Sequence, residues 1–387
     1  MKKVRLGIIG LGMGAAHARY LLAGKVRGAT LTAVCDVLPE KLARYAALSD
    51  VQCFSDPHDL LGSPAIDAVL IATPHYAHTT LGIAALQRGL HVLVEKPISV
   101  HKTDCEKLIA AHTNPQQVFA AMFNQRTDPF YRRIRTMVRG GALGRIQRVN
   151  WIITNWFRPE AYYRSSAWRA TWAGEGGGVL MNQCPHNIDL FQWLFGMPAG
   201  VRAFAGFGKY HDIEVEDEVT AYFDYPDGAT AVFITSTGEA PGTNRLEITA
   251  DRGRLVYEND TLTFTRNATL TSNFSRKSKD SFAAPATTTK VLPVSGHGGQ
   301  HQAVTQNFVD AITKGAALIA PAAEGIASVE LANAMLWSAC SNRTVTLPLD
   351  GAKYARHLRQ LIAASKFEKT VAAHAAPLNF TKSFNTS

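Results

Sequence analysis

The first third of the chain alternates short, almost wholly apolar runs with amphipathic stretches. Val4 to Ile9, Leu31 to Cys35, Val51 to Phe54, Ala68 to Ala72, His91 to Glu95 and Val118 to Met122 are the apolar runs. Runs of this kind suit strands of a parallel sheet whose two faces are both covered by helices. Between them, the stretch through Leu21 and Leu22, then Pro39 to Leu48, Asp56 to Leu61, His78 to Arg88 and the helix containing Leu108 to Ala111 read as helical. The alternation predicts a βαβ series. After Gly140-Gly141-Ala142-Leu143-Gly144 the pattern changes. Residues 145–155, 201–209, 218–225, 229–237, 244–250 and 253–257 alternate like half-exposed strands, with turn signals such as Pro226-Asp227-Gly228 between them. They predict an open, mostly antiparallel sheet. Helices are expected over Pro129 to Arg139, with its arginines on a solvated face, and over Ala303 to Ala311, Glu324 to Ser341 and 352–365. From Asn267 to about Lys290, Ser, Thr and Asn predominate and predict a long exposed connection, and the tail 371–387 reads as poorly ordered.

Length and composition narrow the class. At 387 residues the chain is too long for one ordinary core, and 46% hydrophobic with 18% charged residues is a globular balance. No run approaches the roughly 20 apolar residues of a membrane span, so no membrane role is expected. Met1-Lys2-Lys3 leads into an apolar stretch that turns glycine-rich at once, which reads as a first strand instead of a signal peptide. Five scattered cysteines without CxxC spacing fit a reducing compartment, and a cytoplasmic protein is expected. The formal charge of +9 is dispersed in the sequence and suits an anionic small ligand better than nucleic acid.

The chemistry gathers at the ends of the apolar runs. After the first comes Gly10-Leu11-Gly12-Met13-Gly14-Ala15-Ala16-His17. Gly10 permits the tight turn, Gly12 lets a pyrophosphate approach the backbone, and Met13 and Gly14 open the helix whose N–H groups face it. The third glycine comes one residue before the G-x-G-x-x-G position, where Ala15 is also allowed. Asp36 ends the second strand about twenty residues further on, placed to accept the ribose hydroxyls of an adenosine. It would repel a 2′-phosphate, and Val37 supplies no arginine to hold one, so NAD is favoured over NADP. Thr73, Pro74 and His78 follow the fourth strand at the crevice edge, with a helix cap the plainer role for the histidine. The fifth ends in Glu95-Lys96-Pro97, where Pro97 stops the ladder and stiffens the backbone carrying Lys96. Asn124, Gln125 and Arg126 end the sixth and face the same edge. In the second half, Gly176-Gly177-Gly178 leads to Asn182 and His186, which one helical turn would bring to one side. Tyr163 and Trp168 offer flat apolar faces for a sugar ring.

The glycine loop followed by a histidine, the acid after the second strand, Ala-Thr-Pro with a histidine beyond it, and Glu95-Lys96-Pro97 resemble the glucose-fructose oxidoreductase / inositol dehydrogenase / MocA family of NAD(P)-dependent oxidoreductases. The resemblance covers roughly residues 3–350. It implies an α/β chain made of an N-terminal Rossmann dinucleotide-binding domain over 1–123, a C-terminal α+β domain with an open, mostly antiparallel sheet over 124–350, and a C-terminal helix and tail over 351–387. It further implies that Lys96 lies beside nicotinamide and the substrate hydroxyl, that His186 is the acid/base, that Arg169 approaches the cofactor, and that a glycine-histidine loop brings His297 to the substrate. Asn182 stands where the family usually has an aspartate. An amide cannot take a proton, although it can still hydrogen-bond a hydroxyl. The resemblance also implies a homo-oligomer, dimer or tetramer, formed through the open sheet face.

The expected function is an NAD-dependent dehydrogenase of a sugar, glycoside or cyclic polyol. Alternatives are a glycosidase that uses NAD for transient oxidation, and a non-catalytic NAD-binding sensor. No metal is expected, because His297 and His301 lack an acid or cysteine at ligand spacing.

Overall fold

The structure, a computed structural model, describes residues 3–371; of the tail expected to be poorly ordered, 372–387 lie outside the described residues. The N-terminal half alternates strand and helix as β1 (Val4–Ile9), α1 (Gly14–Leu22), β2 (Ala29–Cys35), α2 (Pro39–Ala46), β3 (Gln52–Phe54), α3 (Pro57–Gly62), β4 (Ala68–Ile71), α4 (His75–Gln87), β5 (His91–Val94), α5 (Lys102–Ala110) and β6 (Phe119–Ala121). The six strands pair in parallel in the order β3-β2-β1-β4-β5-β6. β4 is buried at every position and β5 at all but His91, as two-sided helical cover requires. The strand order reverses between β1 and β4, so a crevice opens at their carboxyl ends.

The second half begins with α6 (Pro129–Arg139), started by Asp128, whose side chain accepts from Phe130 N at 2.8 Å ahead of Pro129. It continues through β7 (Ile146–Ile153), α7 (Glu160–Tyr163), α8 (Pro185–Phe195), β8 (Gly200–Phe207), β9 (Glu216–Asp224), β10 (Thr230–Ser236), β11 (Asn244–Ala250), β12 (Gly253–Glu258), β13 (Thr261–Asn267), α9 (Thr271–Lys277), β14 (Thr287–Val291), α10 (Gln300–Lys314), α11 (Gly325–Ser341), β15 (Val345–Thr346) and α12 (Gly351–Ala364). A nine-stranded sheet runs β14-β13-β12-β11-β7-β10-β9-β8-β15, and β7 with β10 is its parallel pair. One face buries Val149, Trp151, Ile153 and Phe233 against Phe191 and Leu194 of α8 and Leu331 and Met335 of α11. The other face stays open in the single chain, leaving Phe204 60% and Tyr222 42% exposed.

Two features differ from the sequence pattern. The stretch after Asn267 is not all connection, because α9 forms there and the β-branched run Thr287–Val291 pairs antiparallel with β13. α10 leaves the second sheet and packs on the first, where Val304, Phe308 and Val309 share a buried cluster with Val4, Leu6 and Ile8. Beyond it, Ala121 N donates to Ala320 O at 3.0 Å, which carries the returning chain along β6.

Candidate active site

The crevice between β1 and β4 is lined first by the glycine loop. Gly10 has φ +90°, and a Cβ there would lie 2.6 Å from Ala72 O, so only glycine lets the turn sit on β4. Gly12 faces open space, with no heavy atom within 4 Å of an added Cβ, beside Met13 and the first N–H groups of α1. Asp36, 7% exposed at the end of β2, accepts from Leu11 N at 2.7 Å and Leu38 N at 3.0 Å, and Lys41 Nζ reaches it at 3.2 Å. Further along the crevice, Thr73 Oγ1, Asn124 Oδ1 and Gln125 Oε1 are buried with no hydrogen-bond partner among the described residues. Open space at a helix N-terminus, a ribose-reading acid and unsatisfied polar atoms in one line fit an extended dinucleotide.

β5 delivers Glu95 and Lys96 to the same edge. Glu95 Oε1 bonds His17 Nε2 at 2.7 Å, and His17 Nδ1 bonds Tyr20 Oη at 2.5 Å. Burial alone would raise the Glu95 carboxyl, but the His17 contact, with help from His301 and Lys96, outweighs it and holds Glu95 at about 2. Lys96 Nζ donates to the Asn182 carbonyl at 2.7 Å. Burial pushes its ammonium below the ordinary lysine value, opposed by Glu95 and Glu175 and reinforced by Arg169 and Arg158.

The second domain supplies the facing wall. Gly178 is pressed so close to β9 that a Cβ would lie 2.0 Å from Glu216 O. Glu216 Oε1 accepts from Gly178 N at 2.8 Å and Leu180 N at 3.0 Å, which anchors the loop carrying Asn182. The Asn182 side chain donates to Glu175 Oε1 and accepts from Tyr162 Oη at 3.1 Å. His186 sits in the first turn of α8, 2% exposed, and neither ring nitrogen has a hydrogen-bond partner among the described residues. Burial drives its imidazole well below the ordinary value, and the charges of Lys96 and His301 push the same way. Arg169 lies between the Tyr162 ring (4.5 Å) and the Trp168 ring (4.6 Å) and donates to Tyr162 Oη at 2.7 Å. Trp168, half-buried, meets His75 edge-on at 5.9 Å.

Several expected residues are placed otherwise. Asn182 precedes α8 in a turn, so it meets the Lys96 side of the crevice through its own carbonyl and not by helical spacing. Arg126 does not line a substrate surface: its guanidinium is spent on Asp189 at 2.6 and 2.7 Å, on Glu324 and on Ile319 O, tying α8 to the returning chain. Both ring nitrogens of His78 lie 2.8 Å from backbone carbonyls, Pro97 O and Thr73 O, so it pins two crevice loops together and has no nitrogen left for a cofactor. Tyr163 is buried with its hydroxyl on Thr237 Oγ1 at 2.8 Å. The His297 side chain is 64% exposed between Asp128 and Asp260. Because α10 starts at Gln300, the histidine turned inward is His301, edge-on to His17 at 5.6 Å and pushed by burial down to about 4.

Glu175 belongs to no motif, whereas His17 counts only as the histidine after the glycine loop, His301 only beside His297 as a metal candidate, and Tyr162 only as aromatic surface next to Tyr163. Glu175 returns a carboxyl to the site one contact behind Asn182; burial raises it despite Arg169, its first opponent. Its only sequence signal is its position before the three glycines. Among the described residues, no group of three or more His, Cys, Asp or Glu is placed to hold a metal, and no helix is long and apolar enough to cross a membrane.

A parallel sheet with a glycine loop at its switch point, joined to an open-faced α+β half that closes the crevice, defines a two-domain dinucleotide-binding protein. The family model described as "Oxidoreductase family, NAD-binding Rossmann fold" matches residues 4–123, and the GFO/IDH/MocA C-terminal domain model matches 131–256. The chain belongs to the GFO/IDH/MocA oxidoreductase family. It is 26% identical to a myo-inositol 2-dehydrogenase of Thermotoga maritima over 267 residues, 66% of this chain and 75% of that one. It is 33% identical to inositol 2-dehydrogenase 1 of Saccharopolyspora erythraea over 200 residues, 49% of this chain and only 54% of the relative. The WlbA dehydrogenase from Bordetella pertussis, solved with NADH and UDP-GlcNAcA, superposes with a TM-score of 0.75 at 24% identity over 90% of this chain and 100% of its own, a likeness of fold.

Proposed function

We propose that the protein is an NAD-dependent oxidoreductase that moves a hydride between nicotinamide and a secondary alcohol of a sugar, glycoside or cyclic polyol. The observation that carries this reading is the His186 ring, buried within reach of the Lys96 charge with both nitrogens unpartnered among the described residues. A core histidine would have its nitrogens satisfied, so one left open toward a crevice is available to a ligand. Gly10, Gly12, Met13 and Gly14 would hold the pyrophosphate, Asp36 the adenosine ribose, and Thr73, Pro74, Glu95 and Gln125 the wall along the nicotinamide half, with Arg169 at its rim. NAD, when bound, supplies the hydride acceptor.

The remaining work falls to side chains of this chain. Lys96 gives one of its three protons to Asn182 O, which leaves two for the substrate hydroxyl. Its ammonium stabilises the oxygen as negative charge develops there. Neutral His186 takes the hydroxyl proton in oxidation and returns it in reduction. Asn182, oriented by Glu175 and Tyr162, reads a neighbouring hydroxyl, and Trp168 offers its face to the ring. Association through the open sheet face, where Phe204 and Tyr222 are exposed, is the expected assembly, and light scattering on the purified protein measures it.

Absorbance at 340 nm with NAD and a panel of hexoses, glycosides, inositols and sugar acids tests the activity, with sugar products analysed in the same wells. NADH formed with one stereochemical group supports the reading. Cleavage of a glycoside without net NADH, or silence across the panel, overturns it.

A further inference from the structure

Beyond α12 the chain turns back over the second domain. Ser365 Oγ donates to Glu214 Oε2, whose other oxygen accepts from Trp172 N at 2.9 Å. Phe367 N donates back to Ser365 Oγ at 3.3 Å, which fixes the direction of the next residues. They bring the Lys369 ammonium to 5.8 Å from the Phe367 ring and 6.0 Å from the Tyr163 ring. Tyr163 stands edge-on to Tyr162 at 5.3 Å, and Tyr162 Oη bonds the Asn182 side chain. Lys369 is thus separated from Asn182 by the Tyr163 and Tyr162 rings. This stretch lies outside both matched family ranges, 4–123 and 131–256.

The ammonium is half-buried, yet no ion pair or hydrogen bond holds it among the described residues. Three acids act on it through space without touching it: Glu175, which is bonded by Asn182 Nδ2 and Ala170 N, the exposed Asp212, and Glu160, whose Oε1 accepts from Asp212 N while its Oε2 has no hydrogen-bond partner among the described residues. Two further cations share the wall, since Arg158 lies over the Tyr162 ring at 5.2 Å and Arg169 at 4.5 Å. A half-buried ammonium that touches no carboxylate has lost part of its hydration and keeps donors for an anion that reaches it.

We propose that residues 365–371 form a strap across the rim of the substrate crevice, and that its Lys369, with Arg169, selects sugars bearing an anionic group, a carboxylate or a phosphate ester. The inference rests on the crevice being a sugar site. Lys369 acts as a specificity residue at the rim, with two rings between it and Asn182, so its effect belongs in KM.

The test compares the wild type with Lys369→Gln, Lys369→Glu and Lys369→Arg, and uses Lys366→Gln, an exposed charge on the same strap, as the control. Glucose, glucuronate and glucose 6-phosphate are assayed, with the galactose series in parallel, so that carboxylate and phosphate are separated. In Lys369→Gln the ratio of kcat/KM for the preferred anion to that for the neutral sugar should fall about 10-fold, equivalent to about 1.4 kcal/mol. The loss should appear in KM, deepen in Lys369→Glu and be restored by Lys369→Arg, while Lys366→Gln leaves the ratio where it was. A ratio unmoved in both Lys369→Gln and Lys369→Glu, or a wild type that discriminates against both anions, overturns the proposal. Calorimetric titration of the NADH-loaded protein with the same sugars decides the matter if none is turned over. Saturable anion binding weakened in Lys369→Gln supports the strap even though the dehydrogenase reading has failed, and no binding of either anion sinks it.

Discussion

Replacing Lys96 with methionine keeps the length and apolar stem of the side chain and removes the ammonium. Two effects of separate size follow. The first is on turnover. Nζ is fixed by one bond to Asn182 O at 2.7 Å, leaving two protons free for a substrate oxygen. Loss of one preorganised donor at a developing negative charge costs about 2.7–4 kcal/mol, or a 10²–10³-fold fall in kcat. The second is on the fold, because the Asn182 carbonyl is left without its donor, at a cost of about 1–3 kcal/mol. The ammonium is not among the groups that would hold the pyrophosphate or ribose, so the NADH dissociation constant should stay within about threefold. Stopped-flow single turnovers, nicotinamide fluorescence titration and urea unfolding measure the three quantities independently. A kcat within tenfold of the wild type would refute the reasoning, and so would an NADH affinity that falls as far as turnover does.

Glu216, buried under the glycine approach to Asn182, is raised by burial from an ordinary 4.5 to about 7, although Gly178 N and Leu180 N pull the other way. A carboxyl raised on folding contributes stability that is full below pH 4.5 and lost as pH rises through 7, on the order of 3 kcal/mol in all. Glu216→Gln should therefore gain on the wild type between those limits and run parallel above them; a difference in melting temperature that does not change with pH would contradict this. Asp36→Ser should weaken NAD about tenfold and narrow its preference over NADP, read by fluorescence titration with both reduced cofactors, and equal affinities before and after would remove Asp36 from the ribose site. Arg126→Met should cost about 3–5 kcal/mol in denaturant because it strands the Asp189 carboxylate, and adding Asp189→Leu should recover most of that. No recovery would mean that packing, not the stranded charge, sets the loss.

Much of the fold was written locally. A strand buried on both faces must be apolar at successive positions, and a glycine loop followed by a helix has a narrow range of uses, so β1 to β6, their parallel direction and the cofactor edge were legible in the sequence. Glycine at 10, 12 and 14, Asp36 at the end of β2 and Lys96 at the end of β5 are fixed by short-range geometry. Pro129 to Arg139 was equally plain, since Asp128 and Pro129 mark its start. The second sheet was legible as a set of strands, but their order was not, because hydrophobic alternation carries no record of which strand lies beside which.

What only the tertiary structure decided was the wiring between distant segments. That Lys96 meets the Asn182 carbonyl, that His301 turns inward while His297 turns out, and that Arg126 is consumed by Asp189 and Glu324 all depend on where α8 and α10 dock. The strap is the clearest case. Its residues 365–371 show no periodicity and no motif, and Lys369 gains a meaning only from the bond of Ser365 to Glu214 and from the Tyr163 ring beneath it. A backbone pattern is set by residues a few positions apart, whereas a hydrogen bond or a charge contact between residues more than a hundred positions apart is set by packing, and packing is not encoded in spacing.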